Sequence, residues 1–276
     1  MDSRIYTSLQ TREVFHLEFL RWFSRKLAGD RYCLKGGVNL RFFFKSIRYS
    51  EDMDIDITGT RVDKVKKTVM AILSVRGFSD SLKSFGIEKL VPPDITKAKQ
   101  TETTQRFKIH LLTSAGEDLF TKIEFSRRGM KGMALVEQVA APILRFYKMA
   151  PLLVAHYDAG SAVIQKIHAL AQRSFLQARD IFDLFWLSSQ CEGTALGEHV
   201  SKTVLKTAYD NIYQVGFIQF RDTVIDYLED EDKKVYSSPE IWDVIKLKTA
   251  HFLEELMGST SSFDPSINAQ DRRTEK

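Results

Sequence analysis

The sequence has little cysteine and no long apolar run, and both scarcities narrow the class of protein. Its 276 residues include only two cysteines, Cys33 and Cys191, too few for a disulfide framework or a cysteine-based metal site. No run of about eighteen apolar residues is present, which argues against a helical membrane span. The six histidines lack metal-ligand spacing. We therefore expect a cytoplasmic protein with no membrane partner.

The sequence does contain enough apolar residues for a sizeable core, and it carries a weak positive charge. Hydrophobic residues make up 43% of the chain, and the formal net charge is +4. The cations are concentrated in residues 122–148, where only Glu124 and Glu137 oppose Lys122, Arg127, Arg128, Lys131, Arg145 and Lys148. This distribution permits a polyanionic partner such as RNA without requiring one.

The most informative stretch is residues 33–57, which ends in an acidic alternating segment. Asp52, Asp54 and Asp56 are separated by single apolar residues, so a strand would project all three carboxylates from one face. Two unit charges about 4 Å apart at an effective dielectric near 20 repel by about 4 kcal/mol. The cluster must therefore be solvated, protonated or bridged by a cation, and carboxylate oxygens suit Mg²⁺.

A glycine pair precedes the acidic segment. Gly36 and Gly37 lead into a predicted helix, and without Cβ atoms their backbone can approach a phosphate at the positive end of that helix. Taken alone, a glycine pair is more often a turn, and an acidic strand is more often a solvated sheet edge. Their order and separation favour a nucleoside-triphosphate site.

The same stretch resembles a known family of bacterial toxins. Lys35-Gly36-Gly37, followed by residues 48–54 (Arg-Tyr-Ser-Glu-Asp-Met-Asp), is similar to the pattern of the AbiEii/AbiGii toxins, which belong to the nucleotidyltransferase superfamily. The resemblance implies that Asp52 and Asp54 bind Mg²⁺, or Mn²⁺ in its place, and that Lys35, Gly36, Gly37 and Ser50 bind the NTP. Asn39 departs from the family pattern, and the role of Asp56 stays open.

The resemblance also implies a third carboxylate and nearby cations. Glu124 stands at the end of a second alternating segment, where nucleotidyltransferase folds place an acidic residue, although a lone strand glutamate is as often merely exposed. Arg127 and Arg128 follow directly and are candidate RNA phosphate contacts.

A second block supports the resemblance. Lys166, the pair Ala169-Leu170 and Arg173 lie on a predicted helix, and residues 179–184 (Arg-Asp-Ile-Phe-Asp-Leu) follow. In the family this block implies that Lys166 meets the triphosphate. Asp183 would act either as a base toward the acceptor hydroxyl or as an anchor for Arg173. Arg179 and Asp180 are expected to make structural contacts. Alone, a helical lysine is normally a solvated charge.

The predicted fold class is α/β (α+β). We expect a small mixed sheet of nucleotidyltransferase type in residues 1–157. A mostly helical region, residues 158–257, would follow and contribute Lys166 and Asp183 to the cleft. Residues 258–276 are polar and are expected to be disordered.

The resemblance implies a Mg²⁺-dependent enzyme that moves a nucleoside monophosphate from an NTP to an acceptor. The cations and the resemblance favour the 3′ end of tRNA as acceptor and imply an antitoxin as partner. Two alternatives remain: an NTP-binding regulator without turnover, or a transferase that modifies a protein or a small molecule.

Overall fold

The computed structural model describes residues 6–96, 100–191 and 196–259. The elements in chain order are α1 (Ser8–Phe23), β1 (Tyr32–Lys35), α2 (Gly36–Phe43), β2 (Asp52–Ile57), α3 (Val62–Ser74), α4 (Arg76–Lys83), β3 (Ile87–Val91), β4 (Thr104–Thr113), β5 (Asp118–Ser126), β6 (Ala134–Gln138), α5 (Ala141–Phe146), β7 (Leu153–Tyr157), α6 (Ala159–Gln172), α7 (Ala178–Ser188), α8 (Lys202–Ile212), α9 (Phe217–Thr223), α10 (Asp230–Tyr236) and α11 (Pro239–Ser259). Single 3-10 turns lie at Gly197–His199 and Ile225–Tyr227.

The described chain divides into two compact units. The first contains the described residues up to Ala162 together with the returning segment Ile225–Lys234. The second contains the described parts of Val163–Val224 and of the chain from Val235 onward. No pattern in the sequence indicated that residues 225–234 pack with the first unit. The functional domain boundaries stay a prediction.

The first unit is built on a seven-stranded mixed sheet in the order β3-β4-β5-β2-β1-β7-β6. Two pairings are parallel, β1 with β7 and β2 with β5, and the others are antiparallel. In β2 the residues Met53, Ile55 and Ile57 lie in the hydrophobic core, so the aspartates between them project from the opposite face. The predicted α/β class with a mixed sheet is confirmed.

Helix α1 supplies much of the core. Phe15, Phe19 and Phe23 are fully buried, and the rings of Phe19 and Phe23 stack with centroids 5.6 Å apart. The helix begins at Ser8, where Thr7 and Gln10 form a capping box. Gln10 donates its backbone N–H to Thr7 Oγ1, and Gln10 Oε1 accepts from the Thr7 N–H.

The sequence did not predict strands β3 and β6, which are the two edges of the sheet. Four of the five residues of β6 are exposed, so its sequence lacks the apolar alternation that predicts a strand with one buried face. Helix α6 begins at Ala159. Asp158 caps it, since Asp158 Oδ1 accepts the Ser161 N–H at 2.9 Å.

The second unit is helical. Trp242 of α11 stacks on Phe220 of α9 at 4.3 Å between ring centroids and donates its indole N–H to the Val215 carbonyl at 3.1 Å. Helix α11 extends to Ser259, past the predicted start of the disordered tail, and residues 260–276 lie outside the described residues. In the part of the chain that the structure describes, no helix is long and apolar enough to cross a membrane.

Candidate active site

The glycine pair forms the sharp junction between β1 and α2. Helix α2 begins at Gly36, whose φ of +71° favours glycine. A Cβ atom on Gly36 would lie 2.9 Å from Asp54 Oδ2, and one on Gly37 would lie 2.9 Å from Arg48 Nη2 and 3.0 Å from Ser50 Oγ. The structure thus brings the predicted glycines, Ser50 and Asp54 together around the helix N-terminus. Side chains on the glycines would fill that space.

Two carboxylates of the predicted site face each other across parallel strands. Asp54 of β2 is in register with Glu124 of β5, and Asp52 is in register with Lys122. The Lys122 ammonium lies 2.8 Å from Asp52 Oδ2, and Arg106 Nε lies 2.6 Å from Glu124 Oε2. Neighbouring cations therefore compensate the two outer carboxylates.

Asp54 lies in the middle of this acidic group. Burial raises the pKa of Asp54 above its ordinary value; Glu124 and Asp52 act in the same direction, while Lys35 and Lys122 oppose the rise. Among the described residues, no ion pair holds the Asp54 carboxylate. Asp54 is the carboxylate of the group whose negative charge is least compensated by the protein itself.

The third aspartate of β2 has a different set of partners. Asp56 Oδ2 accepts a hydrogen bond from the Tyr157 hydroxyl at 2.8 Å, and Asp56 Oδ1 lies 2.6 Å from Lys35 Nζ. Lys35 is also in register with Asp54 across the β1–β2 pair. Asp56 is thus a positioning residue for Lys35. The sequence alone did not predict this role of Asp56; it indicated only that Asp56 lies on the acidic face of β2.

The loop before β2 is fixed by buried polar contacts. Arg48 is 4% exposed and donates from Nη1 to the Tyr49 carbonyl at 3.0 Å. Ser50 Oγ donates to the Asp52 carbonyl at 2.9 Å. These contacts hold Arg48 and Ser50 beside Gly37.

The donor set suits a hard divalent cation that shares its shell with a substrate. No group of three histidine, cysteine, aspartate or glutamate side chains within the described ranges could hold a metal ion by itself. Mg²⁺ is usually bound through one or two carboxylates plus substrate phosphates, and Asp52 and Asp54 offer that number. Asp54, whose raised pKa reflects burial and neighbouring carboxylates, lies beside the glycine junction, and this arrangement fits the ion.

The two arginines after β5 have different environments. Arg127 donates from Nη2 and Nε to Gln105 Oε1, at 2.6 and 3.2 Å, and from Nη1 to the Thr60 carbonyl. Its guanidinium group therefore connects three segments of the first unit. Arg128 is exposed. Of the two predicted RNA contacts, Arg128 is the one whose exposure suits that role.

The predicted second block forms a buried cluster within the second unit. Lys166 Nζ lies 2.9 Å from Asp180 Oδ1 and 2.6 Å from Asp183 Oδ2, and both aspartates are fully buried. Arg173 Nε lies 3.2 Å from Asp180 Oδ2, so the anchor of Arg173 is Asp180, and not Asp183 as one alternative had it. The cluster joins α6 to α7. That Lys166 and Asp183 share a cleft with the β2 aspartates stays a prediction.

The chain matches a family over most of its length. The family described as nucleotidyl transferase AbiEii toxin, type IV TA system, matches residues 18–269. The chain belongs to this AbiEii family. It is therefore a nucleotidyltransferase and the toxin of a type IV toxin–antitoxin system, which implies an antitoxin as its partner. The family resemblance of the sequence is confirmed.

Solved structures support the same fold for this AbiEii-family chain. The toxin MenT4 (Rv2826c) from Mycobacterium tuberculosis H37Rv, a nucleotidyltransferase, is similar with a TM-score of 0.60 and 14% identity, covering 94% of this chain and 86% of that one. Two Helicobacter pylori structures are also similar. One is a candidate nucleotidyltransferase (TM-score 0.55, 16% identity, 93% and 97% covered), and the other is JHP933 (TM-score 0.52, 17% identity, 96% and 99% covered). No curated protein matches the chain.

The burial of Asp54 is expected to lower the free energy of unfolding of this AbiEii-family enzyme at neutral pH. Because the pKa of Asp54 is raised in the folded state, folding at neutral pH retains a carboxylate that prefers to be protonated. Asp54→Asn should therefore increase the free energy of unfolding at pH 7. The advantage should shrink as the pH falls through the raised pKa of Asp54, and it should disappear well below 3.8, the ordinary aspartate value, where Asp54 is protonated in both the folded and the unfolded state. Urea unfolding at several pH values measures it.

Asp30→Asn is the matched control, because Asp30 is 72% exposed and should change stability little at any pH. A destabilised Asp54→Asn variant at pH 7 would show that the carboxylate is structural.

The Lys166 cluster predicts a large loss of stability when its cation is removed. Lys166→Met leaves Asp180 and Asp183 buried with less compensation, which should cost about 3–5 kcal/mol of unfolding free energy. Lys206→Met is the control, because the Lys206–Asp210 pair is exposed and should contribute little. Chemical denaturation of both variants measures the difference. A Lys166→Met variant that keeps wild-type stability but loses NTP binding would instead favour the triphosphate role.

Proposed function

We propose that this AbiEii-family toxin uses Mg²⁺ to transfer a nucleoside monophosphate from an NTP to the 3′ end of tRNA. The observation that carries the proposal is the register of Asp54 with Glu124 behind the Gly36–Gly37 helix start. It sets the carboxylates proposed for the metal beside the helix start proposed for the phosphates.

The triphosphate would bind at the glycine junction. Gly36 and Gly37 carry no Cβ atoms at the start of α2, and the helix dipole favours negative charge there. Ser50 lies beside Gly37 and is proposed to turn its hydroxyl from the Asp52 carbonyl to a terminal phosphate oxygen. Lys35, held by Asp56, adds a positive charge at the same edge.

Asp52 and Asp54 would hold Mg²⁺. When bound there, the ion would neutralise phosphate charge and orient the triphosphate for displacement at the α-phosphorus. Both carboxylates are fixed by β2, so they can bind without rearrangement of the backbone. Lys122, the partner of Asp52, is near enough to exchange its carboxylate contact for a phosphate.

The acceptor hydroxyl oxygen would attack the α-phosphorus. A new oxygen–phosphorus bond forms, the bond to the oxygen bridging to the β-phosphate breaks, and pyrophosphate leaves. Glu124 is proposed to take or orient the hydroxyl proton. Its ion pair with Arg106 is made through Oε2, and Oε1 is outside that pair.

The second block is proposed to complete the site. Lys166 would contact the triphosphate, and Asp183 would either accept the hydroxyl proton or hold Lys166 in place. The 2.6 Å contact between Lys166 Nζ and Asp183 Oδ2 supports the holding role.

An RNA acceptor is supported by the exposed cations. Arg128, Lys131 and Lys148 are exposed in the first unit, and so are Lys64 and Lys67. Several such contacts to a single-stranded 3′ end would release counterions, with a slope of about −0.7 in log K against log salt for each phosphate contacted. A 3′ end can also enter a cleft that excludes a duplex.

The proposal predicts which molecule becomes labelled. Purified protein, given Mg²⁺ and each labelled NTP in turn, should label total tRNA at its 3′ terminus with at least one of the four NTPs. Arg128→Glu should reduce tRNA labelling several-fold and leave NTP binding unchanged. Arg25→Glu, an exposed charge reversal outside the basic stretch, is the control.

Parallel reactions with total cell protein and with small-molecule acceptors separate the alternatives. Label on protein or small molecules alone would contradict the tRNA acceptor and keep the nucleotidyl transfer. NTP binding with no label on any acceptor would identify a regulator.

A further inference from the structure

The first unit contains a cavity of about 720 Å³ that the proposed chemistry does not use. It is lined by the N-terminal half of α1, the C-terminal end of α2 with its following loop, α5, and the returning segment with Glu229–Asp232. Its volume lies in the range of small-molecule sites. The glycines, Asp52, Asp54 and Glu124 are not among its lining residues.

The base of the cavity is a buried polar network that is internally satisfied. Glu13 is 3% exposed; its Oε1 accepts from Arg41 Nε at 2.7 Å, and its Oε2 accepts from the Tyr147 hydroxyl at 2.7 Å. The Arg41 guanidinium carbon lies 4.0 Å from the centre of the Tyr49 ring. The positive charge of Arg41 is therefore already compensated by Glu13, and these contacts hold the Tyr49 and Tyr147 side chains in place.

The rim of the cavity carries negative charge that the protein leaves uncompensated. Glu229 Oε1 accepts hydrogen bonds from the Tyr49 hydroxyl at 2.6 Å and from Gln10 Nε2 at 2.9 Å, and both donors are neutral. In the described parts of the chain, Glu229, Glu231 and Asp232 form no ion pair. The lining has five carboxylates against two cations, Arg41 and Lys45.

Asp232, one of the rim carboxylates, is half-buried and lies close to other negative charges. Burial raises the pKa of Asp232, Glu229 and Glu231 raise it further, and Arg41 opposes them. A bound cation would remove that repulsion. An anion such as a second nucleotide would increase it.

We propose that this cavity binds a small organic cation carrying several amino or guanidino groups. Carboxylates at the rim would pair with the charged groups, and the faces of Tyr49 and the neighbouring Phe146 and Ile143 would cover the apolar body. The site is separate from the nucleotide site in its lining residues and opposite to it in charge preference.

The occupant would lie against the elements that carry the nucleotide-site residues. Helix α2 has Gly36 at one end and the cavity-lining Arg41 near the other. Tyr49 lines the cavity between Arg48 and Ser50 in the chain. A ligand here would thus contact the loop that places Ser50 beside Gly37.

Calorimetric titration of the full-length protein with spermine and with agmatine tests this inference without any nucleotide. Saturable one-to-one binding of at least one of these probes is expected. Glu231→Gln combined with Asp232→Asn should weaken binding at least about tenfold, since two charged contacts are lost while the Glu13–Arg41 network stays intact.

Glu88→Gln combined with Glu117→Gln is the matched control, because it removes the same charge from exposed sites of the first unit away from the cavity. The control should bind as the wild type does. A third variant, Ile143→Trp, narrows the cavity without a change of charge and should also weaken binding. The inference is overturned if neither probe binds, or if both charge variants weaken binding equally.

Discussion

The site depends on one strand whose two faces have opposite requirements. Met53, Ile55 and Ile57 anchor β2 in the core, and this anchoring forces Asp52, Asp54 and Asp56 onto a single opposite face. The fold cannot separate these charges without losing the core contacts. Neighbouring strands provide cations for two of them: Lys122 forms an ion pair with Asp52, and Lys35 forms one with Asp56. Asp54 receives no such partner, so the repulsion is concentrated at the point that faces the glycine junction.

A nucleotidyltransferase benefits from this uneven compensation. Carboxylates that were all paired with lysine or arginine would bind a metal ion only after those pairs broke. Asp54 lies beside Gly36 and forms no ion pair among the described residues, so it can bind a metal ion without breaking one. Asp52 can bind the same ion once its ion pair with the partly exposed Lys122 is broken. The buried cluster around Lys166 differs from the β2 aspartates, because Asp180 and Asp183 both form ion pairs with Lys166 within their own unit. Such a cluster is suited to holding helices at a fixed distance.

The sequence predicted the parts of the site that depend on local chain geometry. Alternation in residues 52–57 predicted the acidic strand face, and the glycine pair predicted the start of α2. The roles that depend on distant segments were not predictable. Asp56 binds Tyr157, which lies 101 residues later. Arg127 bonds to Gln105 and Thr60, and no pattern in the sequence around Arg127 indicates these contacts. The acidic run near residue 229 was visible in the sequence, but its packing against Gln10, 219 residues away, was not. The edge strands lacked the buried face on which pattern-based assignment depends.

Asp52 and Asp54 are proposed to hold a divalent ion together with the triphosphate. Electron paramagnetic resonance of Mn²⁺, with a non-hydrolysable NTP present, is the decisive measurement, because it detects the bound ion independently of turnover or acceptor. We expect the wild type to bind Mn²⁺ in an NTP-dependent way and Mg²⁺ to compete for the site. Asp52→Asn and Asp54→Asn should abolish this binding while the protein stays folded. Equal NTP-dependent Mn²⁺ binding in the wild type and both variants would show that these aspartates do not hold the ion.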